Sequence, residues 1–270
     1  MRLLPLLLPF LLIIISSCSP LAPVSEPPQT MQLSPAQRNK IGLQIWKNEC
    51  SGTTSGLTTW NDGEEFPSLG IGHFIWYPAQ FQGPYTESFP QFVQYAQSRG
   101  YSPPQIALLA DCPWRTQSQF QADFHSPALT ELRTWLANHV TLQADFIISK
   151  SLASLQTILA HTPVADRERV LANYQKVATT TNGQYALIDY VNFKGEGTNP
   201  KERYHGYGWG LLHVLSDMNE TSGGSHSAIE FAAAAKRMLA RRIAHSDPAR
   251  GEERWRAGWF NRCDTYATPF

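Results

Sequence analysis

Trp46-Lys47-Asn48-Glu49-Cys50 and, a short interval later, Asn61-Asp62-Gly63-Glu64-Glu65-Phe66-Pro67-Ser68-Leu69-Gly70-Ile71-Gly72-His73 are the stretches on which the fold turns. Upstream of the first, Ser34-Pro35 has the form of a helix start, with Ser as the N-cap and Pro at the first helical position. Ile41, Ile45 and Glu49 then follow at four-residue intervals, so they share one helix face. A carboxylate therefore sits at the end of an apolar stripe, near a helix C-terminus. Burial and the negative end of the helix dipole both push such a carboxyl pKa upward, the condition that a general acid requires.

The second stretch reads as β structure over 57–77, with Asn61-Asp62-Gly63 as the turn of a hairpin. In a regular second strand, Glu64, Ser68, Gly70 and Gly72 share one face and Glu65 points the other way. Gly70 and Gly72 inside a strand indicate close approach of a ligand or of another backbone. Trp60, Phe74, Trp76 and Tyr77 offer ring faces to a sugar, although core packing is the default for such residues. His73 is expected to be a structural hydrogen-bonder, because no second metal ligand stands at a suitable spacing.

Beyond Pro78 the pattern turns helical. Helices are predicted over 90–99, 116–124, 128–142, 145–160, 184–193 and 228–243, punctuated by prolines at 103, 104, 113, 127 and 163. The expected class is α+β, mainly α, with one small β-hairpin near its front. There is no internal repeat.

The order helix, glutamate, hairpin, Gly-rich strand resembles that of the phage-type lysozymes, members of the lysozyme-like glycoside hydrolase superfamily. Those carry a helix-ending glutamate, an aspartate, and a threonine before Ile-Gly-Ile-Gly-His. By that resemblance Glu49 is the catalytic acid, Ser68 replaces the threonine that holds the attacking water, and Asp62 stands six positions before Ser68 at the family spacing. Twelve residues lie between Glu49 and Asp62, more than the family has, which lengthens the hairpin. The second carboxylate is thus left open among Asp62, Glu64 and Glu65. Gln184-Tyr185-Ala186-Leu187-Ile188-Asp189-Tyr190-Val191-Asn192-Phe193 is similar to the family's central buried helix, and 232–259 to its closing helices. Residues 79–180 have no counterpart and read as a helical insertion in a lysozyme-like fold.

A rival acid is Glu196, followed by Asn199-Pro200-Lys201 and Gly210-Leu211-Leu212-His213, a faint likeness to the lytic transglycosylases. Glycines flank it on both sides, which suits a helix-end acid poorly. Its expected place is the cleft wall opposite Glu49, where Glu202, Tyr204, Tyr207 and Trp209 add sugar contacts. The cations Lys236, Arg237, Arg241 and Arg242 read as one solvated helix face.

At the other end, Arg2 and the apolar run Leu3 to Ile15 read as a cleavable signal peptide, too short for the ~20 residues of a membrane-spanning helix. Ile15-Ser16-Ser17-Cys18 resembles a bacterial lipobox, which makes Cys18 the lipidated N-terminus. The organisation expected is signal peptide 1–17, anchor and Pro-rich tether 18–33, and one domain 34–270 that contains the 79–180 insertion. Ser19 after the cysteine implies sorting to the outer membrane, facing the periplasm. Cys50, Cys112 and Cys263 then sit where disulfides persist, enough for one bridge with one thiol left over.

Charges balance at 22 basic and 22 acidic residues, which argues against a nucleic-acid partner. The function implied by the resemblance is hydrolysis of the β-1,4 linkage between amino sugars of peptidoglycan or a related polymer, without metal or cofactor. A lytic transglycosylase and a non-catalytic peptidoglycan-binding lipoprotein stand as alternatives.

Overall fold

The computed structural model describes residues 31–83 and 85–269. The predicted signal peptide, the predicted lipobox with Cys18 and most of the predicted tether lie outside them. The tether ends sooner than predicted: Met31 and Leu33 are buried against the core, and Leu33 O accepts a bond from Arg38 Nε.

Ser34 caps α1 (Pro35–Cys50) through a reciprocal pair of bonds with Gln37, so the predicted start is the observed one. Ile41 and Ile45 are fully buried on its inner face. Ser51, in the left-handed conformation, ends the helix one residue after Cys50. A sheet of three short antiparallel strands follows: β1 (Thr58–Thr59), β2 (Ser68–Leu69) and β3 (Phe74–Ile75). Thr59 faces Ser68, and Leu69 faces Phe74.

This sheet differs from the predicted hairpin. Residues 60–67 form a loop, and β2 stops at Leu69 because Gly70 (φ +70°) and His73 (φ +48°) turn the chain back. No strand parity therefore links Glu64 to Ser68.

Five helices fill the stretch that reads as an insertion: α2 (Phe89–Ser98), α3 (Gln117–Ala122), α4 (Pro127–Asn138), α5 (Val140–His161) and α6 (Arg167–Val177). They are not an appendage. α5 packs on both α1 and α7 (Thr181–Lys194), and buries Phe146, Ile147, Leu155 and Ile158 in the common core. The helices predicted at 128–142 and 145–160 break at His139 instead. The Gln143 side chain explains the break: its Nε2 donates to Leu136 O and His139 O, satisfying carbonyls at the end of α4. Its Oε1 accepts from Ile71 N, so one fully buried amide ties α4, α5 and the β2–β3 turn together.

α7 is the centre of the domain. Six consecutive residues, Tyr185 to Tyr190, are buried, as they must be in a helix covered on every side. Around it lie α8 (Leu211–Asp217), α9 (Ser225–His245) and α10 (Arg256–Ala267), with a ribbon of β4 (Arg203–Tyr204) and β5 (Tyr207–Gly208) before α8. The observed class is mainly α with small antiparallel sheets. Among the described residues no helix is long and apolar enough to cross a membrane.

Gly70 and Gly72, predicted to mark close approach of a ligand or of another backbone, are approached by side chains of α5 and by Phe74. A methyl group on Gly70 would collide with Gln143 Oε1, and one on Gly72 with Phe74 and Ile147. Gly70→Ala, with its unfavourable φ as well, is expected to lower stability by about 2 kcal/mol, read as a lower urea midpoint. An unchanged midpoint would mean that the turn is not held against α5.

Candidate active site

Glu49 is the penultimate residue of α1, and three elements meet its carboxylate. Arg262 of α10 places Nη2 at 2.7 Å from Oε1, and Asn192 of α7 donates to the same oxygen at 3.2 Å. From the β2–β3 turn, His73 Nδ1 lies 3.5 Å from Oε2. The left-handed backbone at His73 delivers that ring, a conformation that costs a non-glycine residue energy and persists where the surroundings fix it.

Arg262 is itself shared. It forms a two-pronged pair with Asp189 of α7, Nε to Oδ2 and Nη2 to Oδ1, both at 2.8 Å. Tyr266 Oη donates to Asp189 Oδ2 at 2.6 Å, and Asn48 Nδ2 reaches both Asp189 and Tyr185 Oη. The guanidinium also covers the Phe193 ring at 4.1 Å. Asp189 is fully buried and Arg262 is 8% exposed.

These surroundings reverse one expectation. Burial pushes the Glu49 carboxyl upward, but Arg262, then His73, pull harder, and the net pKa lies below the ordinary glutamate value. Glu49 is thus held as a carboxylate in the unliganded site, not as the acid predicted from burial and the helix dipole. Glu64 goes the other way. Burial is the larger influence on it and raises its pKa, against the opposing pull of the Asn61 hydrogen bond and of His73. The Glu64 loop is tied by Asn61 Nδ2 to Oε2 at 3.0 Å and by Trp60 Nε1 to the Glu64 carbonyl at 2.7 Å. His73 lies in ion-pair range of Glu49 and electrostatically favours the ionised form of both Glu49 and Glu64.

The other predicted residues separate. Ser68 is buried in β2 beside this turn. Asp62 is exposed and accepts from Gln117 Nε2 at 2.9 Å, and Glu65 is exposed as well. Glu196 follows the α7 cap Gly195 and accepts from Thr198. It bears electrostatically on Lys150 and Glu202. Trp209 is buried, held between Tyr204 at 4.7 Å and the Arg242 guanidinium at 4.3 Å, so it has no free face for a sugar. Tyr207 is half exposed but stacks on His245. Trp60, Phe74, Trp76 and Tyr77 are all core residues.

Two further expectations are corrected. Cys50, Cys112 and Cys263 are buried free thiols, with no bridge among them, and burial pushes each pKa up to about 12. The α9 cations are individually paired: Lys236 with Asp264, Arg237 with Asp217 and Glu230, and Arg242 with the fully buried Glu252. Arg241 lies over the Tyr207 ring. Among the described residues no group of three or more His, Cys, Asp or Glu side chains is placed to hold a metal. A groove of about 700 Å³, lined by Pro103, Pro104, Trp135 and His139 among others, shares no residue with the Glu49 cluster.

Sequence reading passed over Asp189, Asn192, Lys194 and Arg262. A signal for the first two was present: Asp189 and Asn192 stand three apart on one face within the otherwise apolar run 185–193. No protein-family model, curated protein or solved structure matches the chain.

Removing one carboxylate from Arg262 leaves a buried charge poorly compensated. Asp189→Asn is expected to cost about 3–5 kcal/mol in chemical denaturation, with part of the loss recovered in the Asp189→Asn, Arg262→Met double variant. Equal stability of the single variant and wild type would show that the pair is not structural.

Proposed function

We propose that the domain is a glycoside hydrolase that cleaves the β-1,4 linkage between amino sugars in peptidoglycan. The observation that carries this reading is the Glu49 carboxylate fixed at the end of α1 by Arg262 and Asn192, with a second carboxyl, Glu64, displaced in pKa the opposite way. Pairs displaced in this way divide the work of glycosidic cleavage between an acid and a carboxylate. In this reading Glu64, whose burial favours the protonated form, delivers a proton to the leaving oxygen. Glu49, charged and fixed by Arg262 and Asn192, draws a proton from water or meets the developing positive charge at the sugar carbon. Ser68 holds that water, as the resemblance to the phage-type lysozymes implies. Asp62, exposed and committed to Gln117, has no part.

The substrate follows from the same resemblance and from the N-terminal segment. A lipid on Cys18 anchors the chain to the outer membrane and faces the domain toward the cell wall. A second reading is a non-catalytic peptidoglycan binder with a lysozyme-like fold. The completed Glu49–Arg262 pair favours it, since that carboxylate is satisfied without substrate.

Mass spectrometry of digested sacculi decides between them. Wild type is expected to release muropeptides with reducing ends. Glu49→Gln and Glu64→Gln are each expected to lose about 100-fold or more in rate, while Asp62→Asn retains most of it. Anhydro products would move the reaction to lytic transglycosylation. Sacculus binding with no product from wild type would replace the enzyme with the binder.

A further inference from the structure

Glu65, which has no part in the proposed cleavage, faces a pocket of its own. Three segments meet there: the loop 60–67, the turn that follows β3, and the chain just before α3. A bridge between Pro78 and Cys112, with Cys112 N donating to Tyr77 O at 3.0 Å, lays the last two side by side. The pocket holds about 170 Å³ and is lined by Glu65, Pro78, Ala79, Gln80, Phe81 and Arg115. Ala79, Gln80, Phe81 and Arg115 belong to the stretch 79–180, which reads as an insertion without counterpart in the phage-type lysozymes.

Glu65 and Arg115 bring opposite charges to this pocket and do not meet. Among the described residues no ion pair joins them, the Glu65 carboxylate accepts no hydrogen bond, and the Arg115 guanidinium donates none. Two opposite charges that share a pocket without pairing suit a ligand that carries both charges in reverse.

The turn supplies a second, independent sign. Phe81 N donates to Pro78 O at 3.0 Å, which closes a four-residue turn with Gln80 in its third place at φ +68°. Glycine is favoured there, because a Cβ is strained in that backbone. The chain keeps a glutamine instead. Its side chain is exposed, makes no hydrogen bond among the described residues, and lines the pocket. Backbone strain of this kind collects at ligand clamps.

We propose that the pocket binds a zwitterionic amino-acid centre, an ammonium and a carboxylate on one carbon. Glu65 takes the ammonium and the planar fork of Arg115 takes the carboxylate. The Gln80 amide adds a hydrogen bond, and Pro78, Ala79 and Phe81 pack against the carbon stem. The volume suits one residue, not an oligosaccharide. A free amino acid and a peptide arm of peptidoglycan both offer this group. The second source rests on the proposed function; the pocket itself does not.

Binding is measured on the full isotope-labelled chain by NMR, from the backbone amide shifts of Ala79, Gln80 and Phe81. Four probes are titrated: alanine, propionate, ethylamine, and a peptidoglycan tetrapeptide whose diaminopimelate keeps a free ammonium and carboxylate on one carbon. Alanine is expected to bind about tenfold tighter than propionate or ethylamine, each of which carries one of its charges. Glu65→Gln and Arg115→Gln should each remove that advantage. Gln80→Gly should raise the melting temperature, by relief of the strained turn, and weaken alanine about threefold. A tetrapeptide that binds at least as tightly as alanine assigns the pocket to the polymer, and alanine binding without tetrapeptide binding assigns it to a free amino acid. Equal affinity for alanine, propionate and ethylamine, or an advantage that survives both charge substitutions, would overturn the pocket. Unchanged affinity in Gln80→Gly would overturn the role of the amide. No turnover is read, so failure of the cleavage reading leaves the result interpretable.

Discussion

A guanidinium taken out of water is costly unless carboxylates and aromatic faces replace its hydration, and Arg262 is taken out almost completely. Asp189 grips two of its nitrogens, Phe193 covers its plane, and the remaining charge goes to Glu49. Burial works against the charged arginine, but the two carboxylates override it and hold the pKa well above the ordinary value. The bond joins α10 to the buried centre of α7 and to the end of α1. Without it these helix ends have no reason to hold a carboxylate at a defined point.

The same bond sets the chemistry. A carboxyl at the end of an apolar stripe would be a weak acid if left alone. Beside Arg262 it becomes a fixed anion, and in the proposed reaction the acid's role passes to Glu64, which sits in a loop closed by Trp60 and Asn61 and has no cation of comparable strength beside it. His73 faces Glu49 from a strained turn, and that turn is in turn clamped to α5 by Gln143. Fold and site thus share the same few polar residues: the buried amide that shapes the sheet also aims the imidazole.

Much of this was legible in the chain. The Ser34 cap, the stripe Ile41–Ile45–Glu49, the turn at Asn61-Asp62-Gly63 and the buried helix around Ile188 are local patterns, and each lies close to where sequence places it. What was not legible is long-range. Asp189 and Arg262 are 73 residues apart, and nothing in the periodicity of either helix announces the other. The break at His139 depends on a glutamine side chain folding back on carbonyls, with no proline or glycine to mark it. Gly70 and Gly72 signalled a close approach, but not that the neighbour is α5. Trp209 looked like a sugar platform by type and is a wall of the core by position.

The central claim is that Arg262 and burial drive the two carboxyls of the site in opposite directions. Carbon-13 NMR titration of the glutamate side chains in the free protein, with resonances assigned through Glu49→Gln and Glu64→Gln, measures it directly. Glu64 is predicted to titrate above the ordinary glutamate value and Glu49 below it. The reverse order, or two ordinary values, would contradict the account.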